Sequence, residues 1–252
     1  MSQEALHRVA NLIQSAKHLV ILTGAGVSKE SGVPTFRDAM DGLWSQYDPQ
    51  QLATPQAFEH DPRLVWEWYQ WRRDLVHQAK PNAGHYALAQ LEAQHTGEVL
   101  TVTQNVDDLH EQAGTRRIVH LHGNIARSKC ASSCQGEPTI IDLNTLQTED
   151  VPPRCPHCGA YLRPDVVWFG ESLPPYAIAR AIEASQNCDV MLVVGTSGLV
   201  SPAAQLPSMA AQRGAAIIEV NPESTPITPI AVAKLNDYSG VVLPQLLDAI
   251  GA

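Results

Sequence analysis

The sequence predicts an α/β protein: a doubly wound parallel sheet interrupted by a small cysteine-bearing module and a helical insertion. Short apolar β runs alternate with helical stretches from one end of the chain to the other, the pattern of a parallel sheet with helices on its faces. Several of these β runs stop in turns rich in Gly, Asn, Asp and Thr, and strand ends of this kind are where ligands collect in such sheets. Two segments break the alternation. Residues 41–80 hold four of the five tryptophans, Trp44, Trp66, Trp68 and Trp71, and residues 130–158 hold four of the five cysteines.

In chain order, residues 3–17 place Leu6, Val9, Ala10, Leu12, Ile13 and Ala16 on one stripe of a helix. Residues 18–22 form a short buried strand that ends in Thr23-Gly24-Ala25-Gly26. A strand, a glycine turn and a following helix point to a dinucleotide-phosphate site as a hypothesis, because glycine lets the backbone approach closely, but such turns more often merely reverse the chain. The dehydrogenase fingerprint is absent: after Gly24-x-Gly26 the next glycine is Gly32, and no acidic residue closes a second strand. Instead follows Ser31-Gly32-Val33-Pro34-Thr35-Phe36-Arg37. Residues 63–78 read as a helix carrying Trp66, Tyr69 and Arg72-Arg73, whose aromatic face packs a small helical subdomain. Tyr69 and Arg72 are three apart and share a face. Residues 85–94 return to the main domain as a helix.

Residues 101–124, TVTQNVDDLHEQAGTRRIVHLHGN, carry the densest chemistry. A β run over 98–103 empties into Gln104, Asn105, Asp107 and Asp108. A helical piece over 109–113 stops at Gly114. A second β run, 117–121, delivers His122 to a turn at Gly123-Asn124. Two neighbouring strand ends therefore bring an amide, a carboxylate and an imidazole into one crevice. Further on, residues 162–171 are read as another strand of the main sheet, 174–185 as a helix and 189–194 as an apolar strand ending in Gly195-Thr196-Ser197-Gly198. Residues 202–213 form a helix, 216–220 a strand ending at Asn221-Pro222, and 242–250 the closing helix.

Cys130-x3-Cys134 and Cys155-x2-Cys158 are two thiolate pairs 20 residues apart. That is a zinc-ribbon spacing, and four thiolates complete a closed, structural tetrahedral site. Cys188 is read as a small buried residue at a helix end. A net charge of -9 argues against a nucleic-acid surface, and no apolar run reaches the roughly 20 residues of a membrane span. The amphipathic N-terminus lacks a signal-peptide core, so a cytoplasmic protein with free or metal-bound thiols is expected.

The blocks GAGVSKESGVPTFR, TQNVDDLH, His122-Gly123, the four cysteines, RPDVVWFGE, GTS and VNP occur in the order found in sirtuins. Over nearly its whole length the chain resembles that family of NAD-dependent protein-lysine deacylases. The resemblance implies a Rossmann-like NAD domain (residues 1–42, 82–127 and 163–252). It implies a small domain built from the helical insertion 43–81 and the zinc module 128–162. It further implies NAD as co-substrate, one structural zinc, and acyl-lysine proteins or peptides as substrates of a monomer. Gly24, Ala25 and Gly26 are expected at the pyrophosphate, Phe36 over the reacting ribose, and Arg37 near the phosphates. Gln104, Asn105 and Asp107 are expected at ribose and nicotinamide, with Asn105 and Asp107 joining His122 as catalytic residues. His122 is the expected general base and His120 a supporting residue. Gly195, Thr196, Ser197, Asn221 and Ser239 are expected on the adenosine side. Val166, Phe169 and Gly170 would bind the peptide, and the Tyr69/Arg72 pair resembles the acyl pocket of desuccinylase-type members. After Phe36-Arg37 this chain has Asp38-Ala39-Met40-Asp41-Gly42 where some members with that pocket are glycine-rich. A mono-ADP-ribosyltransferase on the same scaffold and a non-catalytic NAD- or ADP-ribose-binding module are the competing readings.

Overall fold

The computed structural model describes residues 3–35 and 47–251. Its frame is a six-stranded parallel sheet of β1 (His18–Thr23), β2 (Glu98–Thr103), β3 (Ile118–His120), β7 (Val190–Val194), β8 (Ala216–Val220) and β9 (Ala233–Leu235). The spatial order is β3-β2-β1-β7-β8-β9. The chain winds outward from β1 to β3, then returns to the other side of β1 and winds outward again through β7. The switch point lies between β1 and β7, which pair in parallel from Leu19↔Val190 to Thr23↔Val194. Crevices that hold ligands open at the carboxyl ends of strands flanking such a point.

The β1 and β7 sequences are continuous apolar runs because helices cover both of the sheet's faces. One face packs against α1 (Gln3–Ser15), α6 (Ala83–Gln94) and α10 (Ser239–Gly251), in a cluster with Val9, Ile13, Leu88, Leu192 and Leu246. On α1 the buried residues are Val9, Ala10 and Ile13, with Leu6 and Leu12 at the cluster's edge. The opposite face is covered by α8 (Pro175–Asn187) and α9 (Leu206–Gln212), around Leu22, Ala181, Met191, Leu206 and Ile217. Cys188 caps α8 and is buried in this layer. Helix α10 starts at Ser239, three residues before the hydrophobic run that marks it in the sequence. The three-residue β9 has no sequence signal of its own and is held by its register on β8.

Residues 162–171 do not join the main sheet. Strand β6 (Leu162–Val166) pairs antiparallel with β4 (Gly123–Cys130), and β5 (Ile140–Ile141) completes a separate three-stranded sheet. Gly123-Asn124 is likewise the start of β4, not a turn. Strand β6, Leu-Arg-Pro-Asp-Val, is buried along its whole length although only its ends are apolar: Arg163 is paired with Glu171, and Asp165 with Arg127 and Lys129. What buries it is a second core. Helices α3 (Pro49–Leu52), α4 (Pro55–His60) and α5 (Pro62–Gln78) supply Leu52, Phe58, Val65, Trp68 and Tyr69 to a cluster with Ile125, Val166 and Trp168. Helix α5 begins with Asp61 accepting from the Leu64 N–H and Pro62 at its first position, a strong start signal. Arg73 then ties the helix to β4 by donating from Nε to the Ile125 carbonyl at 2.8 Å. Among the described residues, no helix is long and apolar enough to cross a membrane.

Candidate active site

The crevice at the switch point is built from backbone. Gly24 and Gly26 lie in the turn from β1 into the short α2 (Gly26–Lys29), pressed against the end of β7. A Cβ on Gly26 would stand 2.6 Å from the Gly195 carbonyl oxygen, and one on Gly24 would stand 2.7 Å from the Thr196 Cβ. Only glycine permits this approach. Gly24 is buried and Ala25 is exposed. Gln104 bridges the two halves of the sheet: Nε2 donates to Thr196 Oγ1 at 2.9 Å. Asn221, after β8, donates to the Thr196 carbonyl at 2.9 Å. Gly195, Thr196, Ser197, Asn221 and Gln104 thus line neighbouring strand ends. The Ser239 hydroxyl is engaged elsewhere, donating to Glu30 Oε2 at 3.0 Å. Phe36 and Arg37 lie outside the described residues.

Beneath the crevice sits a buried polar cluster centred on Ser28. Asn105 Nδ2 donates to Ser28 Oγ at 3.0 Å, and the Ser28 hydroxyl donates to Asp107 Oδ2 at 2.9 Å. His85 Nε2 lies 3.4 Å from the same oxygen. His85 Nδ1 accepts from the Asn82 N–H, in a capping box that starts α6, so Nε2 carries the proton and donates to Ser28. Asp107 also receives the Leu109 N–H at 3.2 Å. Burial raises the Asp107 pKa against these two bonds. In the adjoining layer Thr23 donates to Thr103 at 2.8 Å and meets His110 Nε2 at 3.0 Å, with the His85 and His110 rings edge to face at 4.9 Å. Asn105 Oδ1 is buried and has no hydrogen-bond partner among the described residues. A buried carbonyl oxygen left without a donor marks a place for a ligand's hydroxyl or amide.

His122 follows β3 and points Nδ1 at the Gln104 carbonyl, 2.9 Å away. That bond fixes the proton on Nδ1 and leaves the Nε2 lone pair as a base. Burial lowers the His122 pKa, partly opposed by the Gln104 carbonyl, which keeps the ring neutral at physiological pH. The next residue must be glycine. Gly123 has φ +81°, and a Cβ there would collide with the Asp165 carbonyl. The His122 carbonyl accepts the Val167 N–H at 2.9 Å, so His122 is tied to the segment that leads to Phe169 and Gly170. This bond joins the main sheet's edge to the small sheet at the point where the two meet.

Around that point, Trp168 Nε1 donates to the Tyr69 hydroxyl at 3.0 Å, and the Arg163 guanidinium lies 3.2 Å from the centre of the Trp168 ring. Arg163 is held by Glu171 through bonds of 2.5 and 2.9 Å, and Glu171 also takes the Trp168 N–H. Tyr69 and Arg72 are both buried, at 2% and 5% exposure, with the Arg72 guanidinium 5.3 Å from the Trp68 ring centre. Burial raises the Tyr69 pKa, opposed by Arg72, and lowers that of Arg72, opposed by Tyr69. Val166 is buried, whereas Phe169 and Gly170 are exposed beside it.

The four cysteines converge. Cys130 and Cys158 Sγ are 3.5 Å apart, Cys134 and Cys155 Sγ 3.8 Å, and all four sulfurs lie within 4.8 Å of one another. A tetrahedral zinc with bonds near 2.3 Å sets its sulfurs roughly 3.8 Å apart, so the cluster fits the ion. No disulfide joins them. Four thiolates fill such a site, and its contribution is to the fold of the small sheet.

Sequence patterning does not single out Ser28, His85, His110, Thr23 or Thr103. Ser28 lies within the GAGVSKESGVPTFR block, and the Asn82-x-x-His85 cap is the one local signal for His85. The rest are brought in by packing alone.

Removing zinc with a chelator, or Cys155→Ser, should unfold the small sheet; metal analysis with limited proteolysis of 128–162 reads this, and an unchanged fold without metal would contradict it. Acid should act on the histidine layer. Burial holds the His85 pKa down at about 4, and burial with the neighbouring His85 and His120 holds His110 down at about 3. Unfolded histidines take up protons near about 6.5, so below that pH the unfolded state binds more protons. Stability is therefore full above about pH 6.5 and falls toward pH 4, with His85 alone accounting for a loss of about 2 kcal/mol by pH 5. Urea denaturation at pH 7.5 and pH 5 measures it; equal midpoints would refute it.

Comparison with known proteins agrees with this architecture. The Sir2 family model matches residues 24–202. An NAD-dependent protein deacylase 2 of Pyrobaculum aerophilum is 50% identical over 242 residues, covering 96% of this chain and 94% of that protein. A Sir2 homolog–NAD complex superposes with a TM-score of 0.88 at 47% identity, covering 97% of this chain and 93% of the other. A Sir2–p53 peptide–NAD+ structure matches with a TM-score of 0.85 at 30% identity, covering 100% of this chain and 99% of the other. With the family model spanning the switch-point crevice, His122 and the cysteine cluster, the chain belongs to the Sir2 family.

Proposed function

We infer that this chain is an NAD-dependent protein-lysine deacylase, which releases nicotinamide, free lysine and O-acyl-ADP-ribose. The observation that carries this reading is the pairing of a neutral base with an unsatisfied acceptor. His122 has its Nδ1 proton committed to the Gln104 carbonyl, and Asn105 leaves a buried Oδ1 open in the loop that begins at that carbonyl. NAD fits the crevice on two counts: the glycine cradle at Gly24, Gly26 and Gly195, and the open acceptor on Asn105. When bound, NAD supplies an electrophilic ribose carbon with nicotinamide as leaving group.

The residues of the chain do the rest. Gly24 to Gly26 admit the pyrophosphate to the backbone. Asn105 accepts from the ribose, and Asp107, fixed by Ser28 and Leu109, faces the nicotinamide end. His122 Nε2 takes a ribose hydroxyl proton, and its lowered pKa keeps it ready to do so near neutrality. Thr196, Ser197 and Asn221 hold the adenosine end. An acyl-lysine peptide lies extended along Val166, Phe169 and Gly170, where backbone bonding tolerates many flanking sequences.

Tyr69 and Arg72 form the far wall of the acyl pocket in this reading. The Tyr69 oxygen accepts from Trp168, which leaves its own O–H to donate. Beside it, a buried guanidinium suits the terminal carboxylate of succinyl- or malonyl-lysine. Transfer of ADP-ribose to another acceptor is the competing use of the same base.

Mass spectrometry of acetyl- and succinyl-lysine peptides with and without NAD tests both levels. Wild type should release the acyl group as O-acyl-ADP-ribose, and His122→Tyr should be silent. NAD consumption with both peptides intact would overturn deacylation in favour of ADP-ribosyl transfer. Arg72→Met should cost roughly 10- to 100-fold on the succinyl peptide, the worth of one charge-assisted hydrogen bond, and little on the acetyl peptide. Equal loss on both would exclude carboxylate recognition by Arg72.

A further inference from the structure

Two histidines at the end of β3 each reach back to a main-chain carbonyl of the loop after β2. His122 Nδ1 meets the Gln104 oxygen at 2.9 Å, and His120 Nδ1 meets the Asn105 oxygen at 3.4 Å. The second nitrogen of His120 is also committed: Nε2 lies 2.6 Å from Glu111 Oε1 on α7 (Leu109–Ala113). A carbonyl oxygen and a carboxylate oxygen only accept. Both ring nitrogens must therefore donate at once, which the imidazolium alone can do. We propose that Glu111 and protonated His120 form a charged clamp on the Asn105 carbonyl, making His120 a positioning residue for the ribose- and nicotinamide-binding loop.

The surrounding charges agree with this arrangement. Burial works against the charge on His120, and so does Arg127 on β4. The bond and charge of Glu111, with the Asn105 carbonyl, outweigh both and hold the His120 pKa above its ordinary value. For Glu111 burial pushes upward, and the His120 bond and charge, helped by Arg127, bring it below its ordinary value. The other titratable neighbours are Asp107, whose charge His120 favours, and His110, whose protonation it opposes.

Loss of the His120 proton has a defined consequence. The neutral ring keeps Nε2–H on the carboxylate and turns a bare Nδ1 lone pair toward the Asn105 carbonyl, so two acceptors face each other. The peptide that carries Asn105, bonded on its side chain to Ser28, then loses its support from β3. Dinucleotide affinity falls as pH rises through the His120 titration, while His122 needs to be neutral over the same range. The identity of the ligand rests on the deacylase reading; the protonation state of His120 does not.

The test pairs nuclear magnetic resonance titration of the histidine rings with calorimetric NAD binding, using the full chain and Glu111→Gln. In wild type, the His120 ring should titrate above the ordinary imidazole range, and NAD should bind about tenfold more weakly above that transition, the loss of one charge-assisted bond. Glu111→Gln should move the ring titration and the binding transition together to lower pH. A wild-type ring that titrates at or below the ordinary range overturns the clamp and needs no variant to fold. Tight NAD binding that stays flat across the His120 titration overturns its positioning role and leaves the deacylase reading standing. Absence of NAD binding at every pH would overturn the deacylase reading, and with it the clamp's service to the dinucleotide.

Discussion

The Ser28 hydroxyl has one proton and two lone pairs, and this structure uses all three. It donates to Asp107 and accepts from Asn105 and His85. These partners arrive from separate parts of the chain: the loop after β2 and the start of α6, meeting on a four-residue helix after β1. A buried hydroxyl so fully committed has no alternative arrangement of comparable energy, because any shift strands a polar group in a low-dielectric interior. The positions of Asn105 and Asp107 beneath the crevice follow from it. So does the neutral state of His85, whose Nδ1 is occupied by the Asn82 N–H.

The same loop is held from the other side by the end of β3. Gln104 and Asn105 present consecutive carbonyls, and His122 and His120, two residues apart on the chain, answer them. Their environments separate the two rings chemically. His122 has burial and a neutral carbonyl, and its pKa falls; His120 has Glu111 as well, and its pKa rises. Environments that drive two rings apart in this way favour a neutral ring at one position and a charged ring at the other.

The small sheet and the helical segment meet each other at Trp168. Its indole bonds Tyr69, its ring packs on Arg163 and Phe58, and its N–H bonds Glu171. Val167, one residue earlier, donates to the His122 carbonyl. His122, the exposed Phe169 edge and the buried Tyr69 are therefore attached to one short stretch of chain. On the deacylase reading, acyl recognition and proton transfer are mechanically connected, although their residues come from different cores.

The sequence by itself determined the alternation of strand and helix, the glycine turn at Gly24–Gly26, the four cysteines and the loop 104–108 with His122. Each of these is a local property: a period, a turn residue or a ligand spacing. It did not distinguish the two sheets. A five-residue strand such as β6, Leu162–Val166, carries no local mark of which strand it pairs with, so a place in the main sheet and one in the small sheet read alike. Only tertiary packing decided that β4 and β6 pair with each other and that β9 forms at all. Tertiary structure also decided what Ser28, His85, His110 and Glu111 do. Their partners lie 9 to 87 residues away along the chain, and a hydrogen bond over such a separation leaves no period or spacing to read.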